Sequence, residues 1–214
     1  MKILPIIAIS LILTGCGAAQ KAQYSALEKF GVHKRDILVD RIEKTTETQE
    51  ETKEQFQSAY EELASLVNVE DEGLEKRYQK MASAVEKSED KSDELNNRIA
   101  SVDRVAQDLF KEWEQELSEY QSANLRAASE KNLAATKARY ATIYQKMKAS
   151  SEKVAPVLRV LQDNTLYLKH NLNARAVSSL SGEVLVIEDK VRALIAQMEA
   201  SINESKDFIG SMQN

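Results

Sequence analysis

Apolar residues recur in alternating steps of three and four along almost all of this chain, the spacing that lays one stripe on a helix. Between Leu74 and Tyr120 they fall at Leu74, Tyr78, Met81, Val85, Leu95, Ile99, Val102, Ala106, Leu109, Trp113, Leu117 and Tyr120, with Ser88 and Ser92 filling the gap in step. An earlier series runs through Leu38, Ile42, Thr45, Gln49, Thr52, Phe56, Tyr60, Leu63 and Leu66. Two later ones run from Leu125 through Leu133, Tyr140, Ile143, Met147, Val154 and Leu161 to Leu172, and from Val177 through Ile187, Val191 and Met198 to Ile202. A heptad seam sustained over such lengths predicts long helices packed as in a coiled coil.

The breaks between series predict the turns. Asn68 to Gly73 is polar, with Asp71 placed to cap the following helix, and Ser122 or Asn124 can cap the third. Asn171 and Asn173 mark a weaker third junction, and Gly31 separates a short helix over about residues 22–30 from the first long one. Pro156 falls within the third series, where it is expected to kink or break the helix.

Matched registers predict how the helices pair. If the first two form an antiparallel hairpin, Leu63 faces Tyr78, Tyr60 faces Met81, Phe56 faces Val85 and Ile42 faces Ile99, each pair of residue numbers adding to one constant. Gln49 then meets Ser92, so the polar middle of one seam faces the polar middle of the other. The second hairpin pairs Val102 with Ile143 and Val85 with Leu161, and the third pairs Leu172 with Val177 and Leu158 with Val191. Three matched hairpins predict an all-α, elongated, up-down-up-down four-helix bundle over residues 33–214. At about 1.5 Å per residue, helices of roughly 45 residues make a rod of roughly 70 Å.

Composition supports long helices and narrows the chemistry. From residue 33 onward there are only three glycines (Gly73, Gly182 and Gly210) and one proline, Pro156, among abundant Ala, Glu, Lys, Gln, Leu and Ser. The first residues read differently: Lys2, an apolar run from Ile3 to Leu13, and then Leu13-Thr14-Gly15-Cys16. That run is too short to span a bilayer, which takes roughly 20 residues, and it reads as a targeting segment. The four residues fit the lipobox of bacterial lipoproteins, which implies cleavage after residue 15 and lipid on Cys16. Residues 16–32 then form the anchor and membrane-proximal segment. Gly17 and Ala18 are not the aspartate that retains lipoproteins in an inner membrane, so the expected location is the periplasmic face of an outer membrane.

The whole chain carries 29 basic and 34 acidic side chains. Cleavage removes only Lys2, which leaves the mature protein mildly acidic and gives no reason to propose nucleic-acid binding. Lipid occupies the single cysteine, so no thiol remains for a disulfide or a thiolate metal site.

Candidate chemistry is sparse. His33 and His170 are the only histidines, and the bundle sets them at opposite ends, roughly 60 Å apart by helix rise. Neither sits in the Glu-x-x-His pattern of di-iron bundles. No Gly-x-x-x-x-Gly-Lys loop is present for a nucleotide and no Gly-x-Ser-x-Gly elbow for a nucleophile, so no cofactor, metal or catalytic residue is expected. Two clusters remain. Near the anchor, His33, Lys34 and Arg35 suit anionic lipid headgroups, or equally pairing with Asp36, Asp103 or Asp108. At the far tip, Glu70, Asp71 and Glu72 face Lys169, His170, Asn171, Asn173 and Arg175, a set that suits a protein partner or closes the bundle end by internal salt bridges.

Gly31-Val-His-Lys-Arg-Asp-Ile-Leu-Val-Asp-Arg-Ile-Glu-Lys44 and Leu168-Lys-His-Asn-Leu-Asn-Ala-Arg-Ala-Val-Ser-Ser-Leu180, with Gln55-Phe56-Gln57-Ser58 and Leu109-Phe110-Lys111-Glu112-Trp113, resemble domain-of-unknown-function family 2959. These are bacterial secreted or lipid-anchored helical proteins, and the resemblance covers nearly the whole mature chain while implying no activity. The expected function is a non-enzymatic envelope lipoprotein, held to the membrane through Cys16, that acts as a helical scaffold or interaction rod and contacts a protein partner in the envelope through its distal tip or an exposed helix face. The alternative is a membrane-active bundle that inserts into or remodels lipid, but beyond residue 15 uninterrupted apolar runs are only a few residues long.

Overall fold

A computed structural model describes residues 34–67 and 73–213 of the chain. The described residues are helical nearly throughout: α1 (Lys34–Leu66), α2 (Leu74–Glu116), α3 (Ala123–His170), the short α4 (Ala174–Ser179) and α5 (Ser181–Gln213). A single 3-10 turn, Leu117–Glu119, follows α2. At 43 and 48 residues, α2 and α3 run for about 65 and 72 Å. The four long helices pack as a ring in the order α1, α2, α3, α5, with α1 and α3 across the diagonal.

Cross-helix pairs reproduce the predicted registers. Between α1 and α2, Lys91 bonds Glu51 at 2.5 Å, Gln55 Nε2 donates to the Ala84 carbonyl at 2.8 Å, and Arg77 reaches the Ser65 carbonyl at 3.3 Å. All three fall within about half a turn of the pairing read from the seams. Between α2 and α3, Tyr140 OH donates to Asp103 Oδ1 at 2.9 Å, and between α3 and α5, Lys146 pairs with Glu204. The α1–α5 contact closes the ring, with Lys53 near Glu199 at 3.5 Å.

One continuous core fills the ring. Leu38, Ile42, Phe56, Leu63 and Leu66 of α1 are fully buried, as are Met81, Leu95, Met147, Leu161, Leu168, Ile187 and Leu194 of the other helices. A ring helix meets two neighbours, so the buried stripe is wider than a single seam, and Val105 and Phe110 are buried beside the predicted Val102 and Ala106. The polar middle is buried too: Thr45, Gln49, Thr52, Ser88, Ser150, Ser201 and Ser205 are all fully enclosed. Gln49 does not meet Ser92 as expected. Its Nε2 crosses the core to Ser150 Oγ at 2.7 Å and Ser201 Oγ at 3.0 Å, tying α1 to α3 and α5 at once. A buried amide left unpaired costs about 1–3 kcal/mol, so a shifted register is penalised and this layer pins three helices axially.

Several local expectations are revised. Gly73 occupies the N-cap of α2 with φ 106° and no side-chain bond; Asp71 lies outside the described residues. The left-handed φ strains any residue with a Cβ, which accounts for glycine there. Ser122 caps α3, accepting from the Leu125 amide at 3.4 Å. Helix α3 runs through Pro156 without a break. The third junction holds a separate short helix, α4, capped by Asn173 Oδ1 accepting from the Ala176 amide at 3.0 Å, so Val177 belongs to α4 and not to the last long helix. Leu125, predicted in the core, is 61% exposed, because α3 starts beyond the level where α5 ends. The short helix expected over residues 22–30 lies outside the described residues.

Tyr140 is the most perturbed ionisable group. Burial first, and then the hydrogen bond to Asp103, push its phenol well above the ordinary range near 10. Its ring meets Phe110 edge-on at 5.5 Å and stacks on Tyr144 at 5.8 Å. A raised phenol pKa contributes stability that is fully present below the unfolded value and is lost as pH climbs past it. Tyr140→Phe is therefore expected to destabilise by about 1 kcal/mol at pH 7. The gap from wild type should narrow and then reverse above about pH 10, as urea unfolding at pH 7 and pH 11 would measure. A constant gap would refute the assignment.

Candidate functional site

Exposed apolar side chains locate the surfaces of interest. Among the described residues the large ones are Tyr120, Leu125, Leu166, Tyr167, Leu185 and Val186, and they lie towards the two ends of the rod. The long sides are instead covered by charges that pair along or between helices, such as Asp40 with Lys44 at 2.8 Å, Glu94 with Arg98 at 3.1 Å and Glu188 with Arg192 at 2.5 Å. Hydrogen bonds from Lys91 and then Arg98 hold the Glu94 carboxyl below its ordinary value. Such pairs are exposed and each contributes little to stability.

At the end formed by the α3–α4–α5 junction, Leu166 is 59% and Leu185 65% exposed. Each stands about half a helical turn from its helix's core residues, Leu168 and Ile187, and so points outward. Tyr167 OH lies 3.3 Å from Ser179 Oγ of α4, and Val186 is 48% exposed. The predicted polar set surrounds them: Lys169, His170, Asn171, Asn173 and Arg175 are all exposed. Asn171 Nδ2 is used locally, donating to the Tyr167 carbonyl at 3.0 Å, and Asn173 is used as a helix cap. Glu70, Asp71 and Glu72 lie outside the described residues. The four apolar residues were missed by sequence reasoning. They were legible only as positions off the seam.

At the other end, Lys34 Nζ pairs with Glu112 Oε1 at 2.6 Å, not with Asp103 or Asp108. Arg35 stands 4.0 Å from Asp36, and His33 lies outside the described residues. Here the described part of α1 starts and α5 ends, while the described α2 and α3 run further. The step is a groove of about 380 Å³ walled by Trp113, Phe208 and Met212 and rimmed by Arg35, Asn132 and Arg139. Trp113 Nε1 donates to Ser129 Oγ at 2.8 Å, which holds the indole against α3.

A second groove, of about 720 Å³, lies between α2 and α3 beside Phe110, Tyr140 and Tyr144. Its polar groups serve the fold: Tyr140 bonds Asp103, and Lys137 pairs with Glu114 while sitting 5.6 Å over the Phe110 ring. Among the described residues no group of three or more His, Cys, Asp or Glu gathers as a metal site. No described helix is long and apolar enough to cross a membrane.

The family model described as a protein of unknown function, DUF2959, matches residues 23–212. The chain belongs to this family. The DUF2959 match takes in all four long helices and also residues 23–33, ahead of α1. No curated protein and no solved structure matches the chain. For DUF2959 the family relation thus supplies no activity.

Proposed function

We propose that this protein is a non-enzymatic, lipid-anchored envelope protein that holds a helical rod at the periplasmic face of an outer membrane and docks a protein partner at its free tip. The observation that carries the reading is the confinement of exposed large apolar side chains, among the described residues, to the two rod ends. Cys16 tethers the end where α1 begins, which leaves Leu166, Tyr167, Leu185 and Val186 at the end remote from lipid. Apolar residues within a rim of Lys169, His170 and Arg175 suit a partner that brings an apolar knob bordered by acidic groups. Apolar anchors of this kind carry most of an interface's energy, while rim charges steer approach.

Photoreactive residues at Arg175 and Leu185 are expected to trap one defined partner in intact cells. Leu166→Asp combined with Leu185→Asp should lower that product by about tenfold or more, with helicity and melting unchanged because both side chains are exposed. A product undiminished by the double variant, or no product at the tip, would refute tip docking.

A further inference from the structure

The two diagonal helices carry opposite charge on their solvent sides. On α1, Asp40, Glu43, Glu47, Glu50 and Glu54 follow one another in alternating steps of three and four, so they share one stripe about 21 Å long. The stripe lies on the side of α1 turned away from the buried Ile42, Gln49 and Phe56. Asp40 pairs with Lys44 and Glu50 with Lys53; Glu43, Glu47 and Glu54 are exposed and have no cationic partner among the described residues. Helix α3 shows the reverse balance. From Lys131 to Gln162 it carries seven basic side chains and one carboxylate, Glu152. Lys137 and Lys146 are engaged by Glu114 and Glu204 of the neighbouring helices. Lys148, Lys153 and Arg159 are exposed, and of these three only Lys148 has a carboxylate near it among the described residues, Glu152 at 4.0 Å.

We infer that the α3 face of one rod docks the α1 face of a second copy of this chain standing parallel beside it. Helices α1 and α3 lie across the diagonal of the ring, so their solvent faces point in opposite directions. A sideways shift without rotation therefore brings the basic face of one copy onto the acidic face of the next. Their heights agree. Gln49 and Ser150, 101 apart in the chain, meet across the core and mark one level shared by α1 and α3. Glu43 and Lys148, Glu47 and Lys153, and Glu54 and Arg159 are each 105 or 106 apart, which sets every pair within about five residues, or roughly 7 Å of rise, of that level. The route through α2, by the Glu51–Lys91 and Glu89–Gln162 contacts, sets Lys53 level with Gln162, 109 apart, so the two routes bracket all three pairs. Side chains as long as Glu, Lys and Arg close gaps of this size.

The contact is heterologous. Each rod offers α3 to one neighbour and α1 to another, so copies add in rows instead of closing as pairs. Exposed ion pairs contribute little one at a time, which keeps dilute copies apart. Rods held by the same end on one surface meet already parallel and at high local concentration, where several weak pairs act together. Lateral pairing is independent of tip docking, and its test supplies the parallel orientation without the natural anchor.

The full mature chain carrying Cys16→Ser and a histidine tag ahead of it can be held on phosphatidylcholine vesicles by a nickel-chelating lipid. There, at low salt, Glu43→Cys with Lys148→Cys should oxidise to a ladder of dimers, trimers and longer chains, since the two positions face opposite ways in one rod and can join only between rods. Glu43→Cys with Arg159→Cys, mismatched by about 16 Å of rise, should not. Adding Glu47→Lys with Glu54→Lys to the matched pair should cut the ladder about tenfold or more, because like charges then meet. Adding Lys153→Glu with Arg159→Glu instead should do the same, and mixing the two charge-reversed chains should restore the ladder. Every substituted side chain is exposed, so bundle melting should stay that of the parent. A ladder that survives either reversal alone, a mismatched pair that crosslinks as well as the matched one, or no crosslink at all would overturn the inference. Dimers formed by Lys148→Cys alone, with no ladder from the pair, would overturn it in favour of a two-fold contact.

Discussion

Ile99→Asp is expected to unfold the bundle at neutral pH. Ile99 is 6% exposed and stands in the α1–α2 seam at the level of Ile42, itself fully buried, between Leu95 and Val102. Removing the isoleucine side chain from a packed core costs about 2–5 kcal/mol, and stripping water from a carboxylate placed there adds to that cost. Together these match the roughly 5–15 kcal/mol by which ordinary domains are stable. Burial raises the pKa of the new carboxyl, so the loss is largest above the unfolded value and part of it returns as pH falls and the group is neutralised. Circular dichroism at pH 7 should show loss of helix with partial recovery near pH 4, while Ile99→Val should cost only about 0.5–1.5 kcal/mol. A cooperative melt for Ile99→Asp close to that of wild type would show that the seam is not where the bundle is held.

Cys16→Ser is expected to release the protein from the membrane. Each buried methylene contributes about 0.8 kcal/mol, one acyl chain binds marginally and two or more hold stably, so losing the modified thiol removes the anchor as a whole. No described helix offers a spanning segment to replace it. With residues 1–15 exchanged for an ordinary secretory signal, so that cleavage still occurs, membrane partition should fall by at least about a hundredfold. Fractionation of the envelope measures this. Retention of the serine variant on membranes washed with high salt would refute lipid anchoring and return attention to the rod itself.

The axial arrangement sets different surfaces at the two ends. The groove beside Trp113 and Met212 lies at one end, and Leu166 and Leu185 are exposed towards the other. Between them the Gln49–Ser150–Ser201 layer prevents the helices from sliding, which keeps the ends in fixed relation. Replacing such a layer with apolar residues often costs little stability while loosening register, so its role in this bundle is specificity of alignment.

Much of this architecture is legible in the sequence because a helix seam repeats every three to four residues and the repeat survives in one dimension. Leu63 opposite Tyr78 and Ile42 opposite Ile99 follow from spacing alone, since the short connection between the two stripes fixes where their antiparallel match starts. Ser122 as a cap, the all-α class and the family were also readable, each from a few adjacent residues. Only the tertiary structure decided which helices close the ring and where their ends stop. Gln49 was expected to meet Ser92 on the neighbouring helix, but an amide at the centre of a four-helix ring reaches α3 and α5 with less strain. Leu125 carries the right spacing yet lies in water, because exposure depends on whether α5 extends as far as α3, an axial offset no periodicity encodes. Leu166 and Leu185 likewise look like stray apolar positions until the helix ends gather them at one tip. Spacing along the chain determined which face of each helix is buried, and the relative heights of the packed helices determined which apolar residues were left for something else to cover.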